Sequence, residues 1–165
     1  MTDTKNQLVS WLTDAHAMER ATIDNIERVV DQMDKYPQMA QRYTSHLAES
    51  RQQLARVEQC LNRVGADPST IKDTATRIGG MLQSYATAFA SDDTLKHCLA
   101  GFAYENFEIA SYKSLIAAAD ECNETEIRSL CEQNLREEEE MAAWLVAHID
   151  GITRVVLHAN AGDAA

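Results

Sequence analysis

Along four stretches of this chain, apolar residues return every three or four positions with almost nothing to interrupt them. That spacing gathers them on one side of an α-helix. The first stretch, about 4–35, carries Leu8, Trp11, Leu12, Ala15, Met18, Ile23, Ile26, Val29, Val30 and Met33. The second, about 37–64, carries Met39, Tyr43, Leu47, Leu54, Val57, Leu61 and Val64. The third, about 93–119, carries Leu95, Cys98, Leu99, Phe102, Ile109, Tyr112, Leu115 and Ile116. The fourth reaches about 149 with Ile127, Leu130, Cys131, Leu135, Met141, Leu145 and Ile149. Helices of this kind must bury their stripes against one another. Six Gly and two Pro in 165 residues leave too few breaks for a turn-rich sandwich or barrel.

The breaks that exist fall where helical hairpins need them. Tyr36-Pro37 interrupts the first pair, because the residue before proline avoids helical angles. Gly65 reads as a helix-terminating glycine, and Asp67-Pro68 as a cap followed by proline at a first helical position. A less regular segment covers about 69–90, with Gly79-Gly80 as a kink. Asn123 and Glu126 form a capping-box pattern ahead of the last helix. Gly151 is expected to break that helix, leaving a short extension over 152–157 and a frayed tail over 158–165. Two hairpins joined by one long crossover predict an all-α, four-helix bundle of ferritin-like connectivity, with an extra helical segment in the crossover. Residues 1–165 then form one domain, its core about 4–150.

The chemistry lies in what interrupts the stripes. Glu19, Glu105 and Glu138 stand at helical spacing between apolar neighbours, and Glu108 lies one turn beyond Glu105. Glu49 lies beside the second stripe, with His46, Gln52 and Gln53 at helical spacing around it. The heights agree. Glu19 precedes Tyr36 by 17 residues and Glu49 follows it by 13, which puts them within about 6 Å along the bundle at about 1.5 Å rise per residue. Glu105 precedes Cys122 by 17 residues and Glu138 follows it by 16. Inward carboxylates at one depth cannot share a low-dielectric core as anions unless protonated or bound to cations. Two divalent metals are the economical answer, and a carboxylate-rich site favours iron or manganese over zinc or copper. The Glu-x-x-His pattern of di-iron bundles is incomplete: Gln52 follows Glu49 by three and Met141 follows Glu138 by three. Glu108 is the residue available to complete the set.

A formal charge of -11 disfavours nucleic acid and anionic lipid as partners. No apolar run approaches the length that spans a bilayer, and no signal-peptide core is present, so a cytoplasmic protein is expected. Cys60, Cys98, Cys122 and Cys131 fit no zinc framework and are read as buried or half-buried free thiols of a reducing compartment.

Four segments carry a family resemblance: Asp14-Ala-His-Ala-Met-Glu19, His46-Leu-Ala-Glu49-Ser, Glu105-Asn-Phe-Glu108-Ile-Ala-Ser-Tyr112 and Leu135-Arg-Glu-Glu138. In these the chain resembles the YciE/YciF family of bacterial ferritin-like proteins, over roughly 8–149. The resemblance implies a ferritin-like bundle, a homodimer, and an association with stress responses. Departures from the family pattern stand at Ala48, Asn106 and Ala142. Two functions from different classes follow. One is a di-metal protein that oxidises Fe(II) or consumes peroxide, with Glu19, Glu49, Glu105, Glu108 and Glu138 as ligands, His46, Gln52 and Gln53 beside them, and Tyr104 and Tyr112 in reach. The other is a structural or interaction dimer whose metal site is empty.

Overall fold

The computed structural model describes residues 3–33, 36–66 and 93–162; the expected crossover segment over 69–90 lies outside the described residues. All regular structure within them is helical. Helix α1 spans Asp3–Val29 and runs on into one 3-10 turn, Val30–Gln32. Helix α2 spans Pro37–Arg63, α3 spans Asp93–Glu121 and α4 spans Thr125–Gly162. Pro37 occupies the first turn of α2, where a missing N–H costs nothing. Gly65 ends α2 with φ +78°, a left-handed conformation that glycine adopts freely, and the Ala66 N–H closes back on the Leu61 carbonyl. Asn123 takes φ +56° in the turn between α3 and α4.

Helix α1 packs on α2 and on α3, and α4 packs on α2 and on α3, so the four form a square bundle. Their inward positions alternate in steps of four and three. On α1 these are Leu8, Leu12, Ala15, Glu19, Thr22, Ile26 and Val29; on α2, Met39, Tyr43, His46, Ser50, Gln53, Val57 and Cys60. This is the seam of coiled-coil-like packing. Two apolar cores result. One holds Leu8, Leu12, Val57, Leu61, Leu115 and Ile127. The other holds Ile26, Met39, Tyr43, Met141, Leu145 and Ile152. Neighbouring helices are therefore antiparallel, and α2 ends and α3 begins at opposite ends of the bundle, which is the long-crossover connectivity.

The expected stop at Gly151 is not observed. Helix α4 continues to Gly162, through most of the segment expected to fray. Ile152 and Val156 prolong its stripe and are buried, and Ile152 belongs to the second apolar core. Burial of those side chains outweighs the roughly 1 kcal/mol that a helical glycine costs. The glycine also leaves room for Tyr36, whose hydroxyl would lie 3.2 Å from an added Cβ. The four cysteines are free: Cys60, Cys98 and Cys131 are buried and Cys122 is half-buried.

Candidate metal centre

Between the two apolar cores the seam turns polar on every helix. Helix α1 contributes Glu19 and Thr22, α2 His46, Ser50 and Gln53, α3 Glu105 and Glu108, and α4 Asn134 and Glu138, all buried. Each helix continues through this layer because its apolar stripes above and below hold it in register; the local sequence gains nothing from burying carboxyl groups.

His46, Glu105, Glu108 and Glu138 form the tightest group, each offering one ligand atom within 4.8 Å of the others. His46 Nε2 lies 3.3 Å from Glu105 Oε2 and 3.6 Å from Glu138 Oε2. The opposite ring nitrogen, Nδ1, lies 2.9 Å from Glu49 Oε2. Two further carboxyl groups are clamped by one oxygen only. The Thr22 hydroxyl donates to Glu108 Oε1 at 2.7 Å, and the Tyr112 hydroxyl donates to Glu19 Oε1. Tyr112 in turn accepts from Asn134 Nδ2 at 2.8 Å, and Asn134 Oδ1 accepts from Arg56 at 2.9 Å. A chain of contacts thus runs from the half-buried Arg56 to the core and holds Glu19 in one orientation.

The inward atoms have no such partners. Glu19 Oε2, His46 Nε2, Glu105 Oε2, Glu108 Oε2 and both oxygens of Glu138 are buried without a hydrogen bond, as are both amide atoms of Gln53. Buried polar atoms without a hydrogen bond are uncommon in folded proteins, and eight of them in one layer, three joined only by the His46 ion pairs, favour a bound cation. The donor set is carboxylate oxygen with one imidazole nitrogen, which suits hard or borderline divalent ions such as iron and manganese.

The electrostatics point the same way. Burial pushes Glu19 up to about 8, against the opposing hydrogen bond from Tyr112. Burial and the neighbouring carboxylates Glu19 and Glu105 raise Glu108 well above the usual range, and burial with Glu108 and Glu105 does the same for Glu138. Burial alone would depress His46, but the charge of Glu105 and its contacts to Glu105 and Glu49 push it up to about 10. For Glu105 the charge of His46 overcomes burial and holds the carboxyl below its ordinary value. Without a cation, then, the layer neutralises itself with protons: a cationic His46, an ionised Glu105, and neutral acids around them.

Of the residues singled out from the sequence, Glu19, Glu105, Glu108 and Glu138 converge in this layer, and His46 joins them at its centre. Glu49 lies at the edge, its side chain 28% exposed, held between Arg42 at 3.0 Å and His46. Gln52 is exposed and accepts from Arg56, whereas Gln53 is buried. Tyr112 touches Glu19; Tyr104 donates to the Met18 carbonyl at 3.3 Å. His16 is buried outside the layer, 3.2 Å from Glu58. Thr22, Ser50 and Asn134 were not anticipated. The four-three seam spacing marks all three positions, but an apolar stripe drawn through hydrophobic residues alone passes them by.

A family model described as "Domain of unknown function (DUF892)" matches residues 3–157. Among solved structures the chain is similar to a protein from Xanthomonas campestris pv. campestris str. ATCC 33913, with 30% identity and a TM-score of 0.80, over 96% of this chain and 99% of that one. It is similar in fold to the E. coli stress protein YciF, with 19% identity and a TM-score of 0.79, over 93% of this chain and 99% of that one. It is also similar in fold to a ferritin-like, diiron-carboxylate protein from Bacillus anthracis str. Ames, with 15% identity and a TM-score of 0.61, over 94% and 99% of the two chains.

Proposed function

We propose, from the premise that this chain belongs to the DUF892 family of ferritin-like proteins expected from its YciE/YciF resemblance, that the polar layer of its bundle is a carboxylate centre for two iron or manganese ions. The observation that carries this reading is the set of orphaned oxygens and one orphaned imidazole nitrogen aimed inward from four helices. His46 through Nε2, with Glu105, Glu108 and Glu138, supplies one compact set of donors. Glu19 has its own free oxygen in the same layer and is the carboxyl group that would help hold a second ion. Glu49 acts on His46: it accepts the hydrogen bond from Nδ1–H, fixes the tautomer and leaves Nε2 for the ion, as acidic partners of metal-binding histidines do.

When bound, iron supplies electron transfer to dioxygen or peroxide. The chain's own residues set the conditions. Thr22 and Tyr112 each fix one oxygen of a carboxyl group and leave the other unclaimed, so little reorganisation is needed on binding. The apolar cores above and below close the layer toward both ends of the bundle. The acids and His46 release protons as ions enter, so affinity rises with pH. The diiron-carboxylate description of the Bacillus anthracis relative and the stress description of E. coli YciF support an oxidant-consuming or Fe(II)-oxidising role.

The test is metal analysis of protein purified without chelator, followed by anaerobic Fe(II) loading and exposure to peroxide or air. Retained iron or manganese near two per chain, and an absorbance change on oxidation, are expected. The ion pairs of His46 with Glu49 and Glu105 support the second reading, a structural protein without metal; it predicts no retained metal and no such change. The homodimer is likewise proposed, from the resemblance and from two large residues that the bundle does not fully bury, Trp11, 40% exposed, in α1 and half-buried Trp144 in the middle of α4. Phe89, a third large residue that points to pairing, lies outside the described residues. Light scattering that finds only an 18.4 kDa species at micromolar concentration contradicts the dimer. Among the described residues no helix is long and apolar enough to cross a membrane.

A further inference from the structure

A cavity of about 330 Å³ opens between α1 and α3 and reaches the polar layer. Its rim is accessible: Arg28 and Gln32 are exposed, and Asn25 and His97 are half-buried. Its floor is buried and includes Ala100 and Glu105. The shape has a sequence cause. Tyr43 crosses α3 at Gly101 to donate to the His97 carbonyl at 2.9 Å, and any side chain at 101 would collide with the Tyr43 ring and hydroxyl. Glycine there keeps Tyr43 against the helix and the space beside it open.

We propose that this cavity is the entry route by which a small uncharged polar molecule, of the size and hydrogen-bonding character of hydrogen peroxide, reaches the carboxylate layer. The charge pattern selects the class. Among the lining residues the rim carries the guanidinium of Arg28 and no carboxylate, so a cation that enters the mouth meets a like charge before any lining acid. At the floor the carboxylate of Glu105 lines the cavity and the His46 cation paired with it does not, so an anion meets a like charge first. An uncharged molecule meets neither barrier, and one with O–H donors finds an acceptor at Glu105. The volume holds several molecules of this size, given about 30 Å³ for a water. The identity of the molecule rests on the metal-centre reading; the route does not.

The test uses the full chain with Cys122→Ser as background and Ala100→Cys as a reporter on the floor. Methyl methanethiosulfonate is the uncharged probe, and its sulfonatoethyl and trimethylammonioethyl analogues are the anionic and cationic ones. With each rate divided by that of the reagent with free thiol, the uncharged probe should react at least tenfold faster than either charged one. Asn25→Trp at the rim should slow that labelling at least tenfold; Asp24→Trp, on the exposed side of α1, should not. Equal rates for the three probes, or labelling unaffected by Asn25→Trp, overturns the proposal. In iron-loaded protein the same rim variant should slow the peroxide reaction while the Mn(II)-induced rise in melting temperature stays unchanged. If no metal binds, the metal-centre reading fails and the labelling arm still decides the route.

Discussion

The ends and the middle of this bundle are built on one spacing and opposite chemistry. At the ends the four-three seam holds Leu8, Leu12 and Leu61, or Met39, Met141 and Leu145, and every buried atom gains from leaving water. In the middle the same seam holds Glu19, His46, Glu105, Glu108 and Glu138, and burial works against the charged form of each. The ends supply the apolar burial that favours the fold. The middle opposes it, and that cost is the mark of a use.

Substitutions should separate the two regions. Leu12→Ala or Leu145→Ala removes a fully buried side chain from an apolar core and should cost about 2–5 kcal/mol in urea unfolding, by the same amount with or without metal. A loss that metal addition reverses would place the metal outside the middle layer.

The pH dependence of metal-free protein should come from the middle. Glu19 has a folded value of about 8 against 4.5 for the free group, so the folded state holds its proton longer. Its contribution is complete below about 4.5 and is lost as pH rises through about 8. His46 behaves alike in sign: its contribution is full below 6.5 and lost as pH rises through about 10. Glu105, held below its ordinary value, acts oppositely and weakens the fold only as pH falls through that lowered value. The unfolding free energy from urea titrations should therefore decline from about pH 5 to 9, by an amount on the order of a few kcal/mol. A flat profile would mean that the carboxyl groups are solvated.

Glu49 marks the border between the layer and solvent. Glu49→Gln should weaken Mn(II) affinity about tenfold by loosening His46, while Glu105→Gln should remove measurable binding. Equal losses for the two would make Glu49 a direct ligand. The smallest effect concerns Glu138. Glu138→Gln should stabilise metal-free protein by about 1 kcal/mol at pH 7, since an amide is buried neutral without the proton that the raised carboxyl group must first take up. Leu145→Gln, two turns along the same seam, should destabilise it.

This contrast also governs what the sequence could reveal. The ends were legible because apolar residues mark the seam directly, and four helices, both hairpins and the long crossover follow from them. In the middle the rule inverts. On α2 the hydrophobic residues Leu47 and Leu54 are only half-buried, while His46, Ser50 and Gln53 occupy the seam. A stripe drawn through the leucines draws attention to Glu49 and Gln52, one position off the seam residues Ser50 and Gln53. On α4 the same displacement favours Leu130 and Leu135 over Asn134. Glu19, Glu105 and Glu138 were still recoverable because apolar residues flank each of them. The hydroxyls that fix carboxyl oxygens, Thr22 on Glu108 and Tyr112 on Glu19, both reach between α1 and α3 and depend on side-chain geometry that spacing does not encode.

Thermal melting with and without Mn(II), under nitrogen at pH 7, tests the central claim most directly. An ion that binds only the folded state stabilises it by about 2.7 kcal/mol at a hundred times its dissociation constant, which for a chain of this size is a rise of about 5–10 °C. The account predicts that rise in the wild-type protein and its disappearance in Glu105→Gln/Glu138→Gln. Superimposable wild-type curves with and without metal would contradict it.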